Sequence, residues 1–187
     1  MRTTTSSIFI ASALALVALL ALPATGFGAT ANVTGTLTGS TLSLSTTATP
    51  SFSANLDSGD STPTYTVPLT IQDTRGTGAG WNATITSTQF TTGGATPSTL
   101  ATNASSLTGV VSACAGGTCT NPTNAVTYPI AVPAGATAPT AVKFFNAAAN
   151  TGMGKFTVTP TIGVFVPQSS TAGTYTSTLT ISIVSGP

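Results

Sequence analysis

The chain has no histidine and no glutamate, and only 4% of its 187 residues are charged. An average soluble domain carries roughly 25% charged residues. Without histidine no Ser-His-Asp triad can be built, and the commonest nitrogen ligand for a metal is missing. The carboxylates are Asp57, Asp60 and Asp73. A glycosidase needs two carboxylates about 5–10 Å apart on a rigid frame. Asp57 and Asp60 share one turn, Asp57-Ser58-Gly59-Asp60, and Asp73 flanks a loop. Turn capping and an Asp73–Arg75 contact account for them. Calcium could draw on Asp57, Asp60 and backbone oxygens, but the Asp-x-Asp-x-Asp spacing of a calcium loop is absent. These absences describe a non-enzymatic chain with no cofactor and no metal.

Basic residues are equally scarce. Arg2 lies in the N-terminal leader. The rest of the chain then sets Arg75, Lys143 and Lys155 against Asp57, Asp60 and Asp73, three against three, for a net charge of zero. No patch exists to follow a phosphate backbone, so nucleic acid is excluded as a partner. Docking to anionic lipid through a polybasic segment is excluded on the same ground. Gly76, Gly78 and Gly80 form a Gly-x-Gly-x-Gly run, but an alternating strand follows where a phosphate loop needs a helix.

Long apolar runs are missing except at the start. Met1-Arg2 precedes the nearly unbroken apolar run Ile8 to Leu22. That run is shorter than the ~20 residues of a spanning helix and fits a secretory signal. Small residues follow, with Ala29-Thr30-Ala31 or Ala24-Thr25-Gly26 as cleavage sites. Residues 1–30 are therefore read as a signal peptide and 31–187 as one domain. Secretion to the cell surface is implied, with no membrane attachment after cleavage.

What the chain has in abundance is threonine, backed by serine, asparagine and glycine. Threonine is β-branched and its hydroxyl hydrogen-bonds water, so it suits the outer face of a sheet. Alternation of apolar and polar residues marks short strands. It runs through Val33–Leu37, Thr41–Ser45, Ser51–Leu56, Tyr65–Ile71, Trp81–Ser87, Leu107–Ala113 and Tyr128–Val132. It continues through Val142–Phe145, Lys155–Val158, Thr161–Val166 and Tyr175–Ile183. Pro68 predicts an edge or a bulge, and Pro160 a break. The expected fold is all-β: a single antiparallel β-sandwich, immunoglobulin-like or Greek-key. At most one short helical turn is expected, at 146–150.

Cys114 and Cys119 sit in Cys-Ala-Gly-Gly-Thr-Cys. In an exported chain with no other metal ligands the pair reads as a disulfide. A redox-active pair would need a different spacing and a neighbouring base. The sequons Asn32-Val33-Thr34, Asn82-Ala83-Thr84 and Asn103-Ala104-Ser105 are candidate glycosylation sites.

The stretch Asp73-Thr74-Arg75-Gly76-Thr77-Gly78-Ala79-Gly80-Trp81-Asn82-Ala83 holds the one tryptophan. Trp81 suits either a core position or an exposed platform for a sugar ring. The core placement is favoured because large aromatics are mostly buried. This stretch resembles the Asp-x-Arg-Gly-x-Gly-x-Gly-Trp lead into the first Trp-x-Leu motif of the WxL domain. That family comprises cell-wall-binding domains on surface proteins of Gram-positive-type bacteria. Gly173-Thr174-Tyr175-Thr176-Ser177-Thr178-Leu179-Thr180-Ile181-Ser182-Ile183 resembles the family's closing Gly-x-Tyr-x-x-x-Leu-Thr-Trp-x-Leu. Asn146 to Gly154 also has the family's look. Ala83 stands where the family has leucine, Ile181 where it has tryptophan, and Ile183 where it has leucine.

The resemblance implies non-covalent attachment to peptidoglycan or another cell-wall polymer, with other surface proteins as further partners. It assigns wall binding to Trp81, Asn82, Ala83, Ile181, Ser182 and Ile183, which should be neighbours in the fold. An alternative is a subunit of a surface filament or layer that assembles by β-strand addition. Ala29–Thr38 and Tyr175–Pro187 are its candidate donor strands.

Overall fold

The computed structural model describes residues 30–187. The expected signal peptide lies outside the described residues, apart from Thr30. Two units are distinguished, one ending at Thr36 and the other spanning Leu37–Pro187. In the first, residues 30–36 are exposed and form no strand. The strand expected at Val33–Leu37 is therefore absent. Alternation alone does not make a strand, because its backbone groups need a ladder partner.

Leu37–Pro187 folds into two sheets. The first contains β1 (Leu42–Ser45), β2 (Thr64–Thr66), β3 (Leu69–Asp73), β5 (Ser105–Thr120), β6 (Ile130–Ala131) and β9 (Met153–Val164). Its order is β1-β3-β9-β5-β6, with β2 also paired to β9. The second sheet contains β4 (Trp81–Thr88), β7 (Ala134–Gly135), β8 (Val142–Ala147) and β10 (Leu179–Ser185). Here β4 lies between β10 on one side and β7 and β8 on the other. Pairing is antiparallel except for two residue pairs, Ser87↔Ala134 and Thr88↔Gly135.

Strand pleating explains the core. Leu69, Ile71, Leu107, Phe156, Val158 and Ile162 point inward from the first sheet. Trp81, Ala83, Ile85 and Phe145 meet them from the second, and all belong to one buried cluster. Threonines and serines fill many of the alternate, outward positions, as the period of two requires. The result is the expected β-sandwich.

The prolines act differently from expectation. Pro68 does interrupt the Tyr65–Ile71 run, leaving β2 and β3 as separate strands. Pro160 does not break β9. It lies between the part of β9 that pairs with β3 and the part that pairs with β2. Its missing N–H therefore falls where the ladder is already interrupted, and its carbonyl accepts from Val67 N at 3.1 Å. The helical turn expected at 146–150 is also absent. Asn146 and Ala147 extend β8, and a turn follows, closed by Thr151 N donating to Ala148 O at 3.0 Å. Among the described residues the helical element that does form is a single 3₁₀ turn at Leu56–Ser58, capped by the Asn55 side chain. The Ser51–Leu56 run makes no strand.

Candidate functional site

The two motif stretches meet. β4 and β10 pair antiparallel over their full shared length, with Ile181 opposite Ile85, Ile183 opposite Ala83 and Ser185 opposite Trp81. The expected neighbourhood of Trp81 and Ile181–Ile183 is thus formed, along one strand pair.

Trp81 has no exposed surface. Its indole N–H donates to Gly152 O at 2.9 Å, so its polar atom is satisfied inside the protein. Phe145 lies against it, with ring centroids 5.7 Å apart and planes inclined by 47°. Burying an indole of this size is worth about 4 kcal/mol. Gly152 has a φ of 68°, and a Cβ there would collide with Ala147 Cβ and lie 2.7 Å from Trp81 Nε1. Only glycine lets the backbone approach the indole so closely.

Arg75 ties the loop before Trp81 to both sheets. It forms a two-pronged pair with Asp73, Nε to Oδ1 at 2.9 Å and Nη2 to Oδ2 at 2.8 Å. Nη2 also donates to Gly80 O at 2.7 Å, and Nη1 donates to Ser185 Oγ in β10. Asp73 is 3% exposed. The Arg75 guanidinium bonded to it holds its carboxyl below the usual aspartate range, against the opposing effect of burial. The loop then turns through Gly76, Gly78 and Gly80, all with positive φ. At Gly80 a Cβ would strike the Ala147 carbonyl oxygen. The Asp-x-Arg-Gly-x-Gly-x-Gly-Trp signature is, in physical terms, a clasp that delivers Trp81 into the core.

Of the six residues assigned to wall binding, Trp81 and Ala83 are closed to solvent. Trp81 takes the favoured core placement and not that of an exposed platform, and neither residue has a surface on which a polymer could rest. Ile181 and Ile183 are half-buried and pack against the core. Asn82 is half-buried, and its Nδ2 donates to Gly186 O at 2.9 Å. Ser182 is exposed on the outer face of β10. Elsewhere, Asp60 accepts from Gln168 N at 2.8 Å, a loop-holding role. Asn103 is exposed in a turn. Cys114 and Cys119 are joined, with Cα atoms 5.9 Å apart, near the exposed end of β5.

A second feature lies beyond the other end of β4. From Trp81 to Thr88 the strand covers about 24 Å at its normal rise. Past that end, Phe52, Tyr65, Phe90 and Tyr175 line a cavity of about 560 Å³ between segments 50–56 and 170–179. Phe52 stacks on Tyr65 with centroids 6.1 Å apart and planes 13° from parallel. Phe90 meets Phe52 edge-on at 5.5 Å and 84°. Among the described residues, none that lines the cavity is charged. Burial pushes the Tyr65 hydroxyl up to about 12, so it stays neutral and able to donate. The four aromatics come from four separate segments, and of these Tyr175 alone lies in a motif read from the sequence.

The model of the WxL domain, described as surface cell wall-binding, matches residues 23–187. No match to a curated protein or to a solved structure was found. The chain belongs to the WxL family, and with that it is a wall-associating protein of the cell surface.

Proposed function

We propose that this WxL-domain protein is a secreted, non-enzymatic surface protein that attaches non-covalently to peptidoglycan once residues 1–30 are removed. The observation that carries this reading is the family match over residues 23–187. The chemistry agrees with it. A chain whose charges balance at three against three after the leader has little with which to hold an anionic polymer, and no histidine or glutamate for hydrolysis. Stacking and hydroxyl hydrogen bonding remain as its means of adhesion. In this reading Trp81, Ala83, Ile181 and Ile183 contribute by holding β4 to β10. Asn82 and Ser182 are the members of the set with outward-facing surface. Co-sedimentation of the purified domain with peptidoglycan sacculi tests the attachment. The domain should pellet with sacculi and largely stay bound in 0.5 M salt, because charge plays little part. Equal recovery in the supernatant with and without sacculi would overturn the proposal.

Strand addition is a second reading, favoured by one observation. β1 and β10 each pair with one neighbour and lie close to one another, as edges of opposite sheets. Between them runs a shallow groove floored by Leu44, Val67, Leu179 and Ile181. Such an edge can accept a strand from another copy. Tyr175–Pro187 is not free to donate, because Leu179–Ser185 is already paired with β4. The donor role falls to Ala29–Thr38, of which residues 30–38 form no strand. Particle size measured across protein concentration decides this reading, and a constant monomer speaks against it.

A further inference from the structure

The aromatic cavity beyond the end of β4 differs from the aromatic packing of Trp81, Phe144 and Phe156 by facing solvent while being built from the core outward. Phe52, Tyr65, Phe90 and Tyr175 are each half-buried, whereas Trp81, Phe144 and Phe156 are fully enclosed. The four aromatics are therefore held by packing and still keep free surface. Their arrangement is fixed by mutual contact: Tyr65 stacks on Phe52, and Phe90 braces Phe52 from the side. Leu100 and Val166 support the group from beneath. Tyr175 is positioned from the opposite wall by its hydroxyl, which donates to Thr171 O at 2.9 Å.

The chemistry of the lining narrows the ligand. A volume of about 560 Å³ lies within the range of small-molecule sites, roughly 300–1,000 Å³. Among the described residues nothing charged lines it, so a phosphate or carboxylate would lose its hydration without a counter-charge. A purely apolar ligand would leave without partners the lining serine and threonine hydroxyls other than those of Thr176 and Ser177, which are bonded within the protein. What suits aromatic faces rimmed by hydroxyls is a neutral pyranose, whose C–H face stacks on a ring while its hydroxyls bond to the rim. Tyr128 and Tyr175 donate their hydroxyls to backbone carbonyls. No such bond holds the Tyr65 hydroxyl among the described residues, which leaves a neutral donor for a sugar oxygen.

We infer that the cleft formed by Phe52, Tyr65, Phe90 and Tyr175 is a binding site for an uncharged glycan, taking one or two sugar rings of a wall polysaccharide. The inference rests on the reading of the protein as wall-associating and assigns that attachment to the end of β4 away from Trp81, with Tyr175 of the closing motif on one wall.

The experiment uses the secreted domain with two probes, chitotriose as a soluble neutral glycan and intact sacculi. Backbone amide shifts in ¹H-¹⁵N spectra are followed as chitotriose is added. Shifts should concentrate on segments 50–56 and 170–177 and leave Trp81–Ala83 unmoved. Tyr175→Ala and Tyr65→Phe should each weaken chitotriose binding, the former at least tenfold, with the folded spectrum retained. Tyr65→Phe removes a single oxygen and guards against a variant that merely loosens the wall. Binding confined to the β4–β10 motif surface, or unchanged in both variants, overturns the inference. So does preference for a polyglycerol phosphate over chitotriose. If wild type and Tyr175→Ala pellet equally with sacculi, wall attachment stands and the cleft assignment falls. If neither probe binds the wild type, both fall together.

Discussion

The two ends of the sandwich are built on opposite principles. At the motif end, Trp81 is enclosed and its N–H is satisfied. The charges of Asp73 and Arg75 cancel against each other, and glycines bring backbone against ring with no room to spare. At the far end, four aromatics are only half-covered, no charge intervenes, and a cleft remains open between two loops. Residues that a sequence signature makes conspicuous need not be the ones that meet a ligand. Here the signature supplies the interactions that seat β4 against β10 and close the core. In the proposal above, recognition falls to side chains around the cleft, Tyr175 of the closing signature among them.

The sharpest way to break this contrast is to remove the indole. Trp81→Ala should cost about 4 kcal/mol in denaturant unfolding, as expected for a large aromatic deleted from a core. A loss below 1 kcal/mol, with sacculus binding abolished, would show that Trp81 is a contact residue and that the two ends have been assigned the wrong way round. Next in size is Arg75→Ala, expected to cost about 2 kcal/mol, because it leaves the Asp73 carboxylate buried and unpaired. The pair also predicts a pH dependence. The folded-state pKa of Asp73 lies below its unfolded value, so the unfolded chain binds the extra proton. The stabilisation is therefore complete above the usual aspartate range, near pH 4 and upward. It is lost as pH falls through the depressed folded pKa. Arg75→Ala should abolish that acid-side slope. A slope unchanged in the variant would remove Asp73–Arg75 from the clasp.

The disulfide sharpens the comparison from within the motif end. Its small ring offers at most about 2 kcal/mol by loop closure. It staples an exposed part of β5 beside β9, close to Gly154, the residue paired with Asp73, where a Cβ would lie 3.1 Å from Cys119 Sγ. Cys114→Ser with Cys119→Ser should therefore cost about 1 kcal/mol, measured by thermal unfolding, and leave Trp81 fluorescence in its buried range.

Much of this end was legible in the sequence. Alternation located β3, β4 and β10, because strands with one face on a core carry a period of two. The resemblance to the WxL family located the partnership of β4 with β10. What the pattern could not show was any feature fixed by a distant partner. Val33–Leu37 alternates like a strand and forms none. Pro160 sits inside a strand because the gap between β2 and β3 lies opposite. β5 runs on to Thr120 through the Cys114-Ala-Gly-Gly-Thr-Cys119 stretch because β9 continues beside it. The aromatic cleft was the least legible of all. Phe52 lay in an apparent strand that does not form. Tyr175 lay at the head of the final alternating run, yet β10 begins at Leu179. Before that point Thr176 bridges to Thr91, carrying Tyr175 over the cleft.

The smallest change in stability should accompany the most informative change in binding. Tyr65→Phe keeps the ring stacked on Phe52 and removes only a hydroxyl that burial keeps neutral up to about pH 12. With no hydrogen bond lost inside the protein, unfolding should shift by less than about 0.5 kcal/mol. If a sugar oxygen bonds to that hydroxyl, chitotriose affinity should fall by about fivefold, the worth of one neutral hydrogen bond of about 1 kcal/mol. Equal affinity with Phe at this position would mean that stacking alone recognises the ring. A stability loss above 1 kcal/mol would mean that Tyr65 is a core residue, and the far end would then differ from the motif end only in degree.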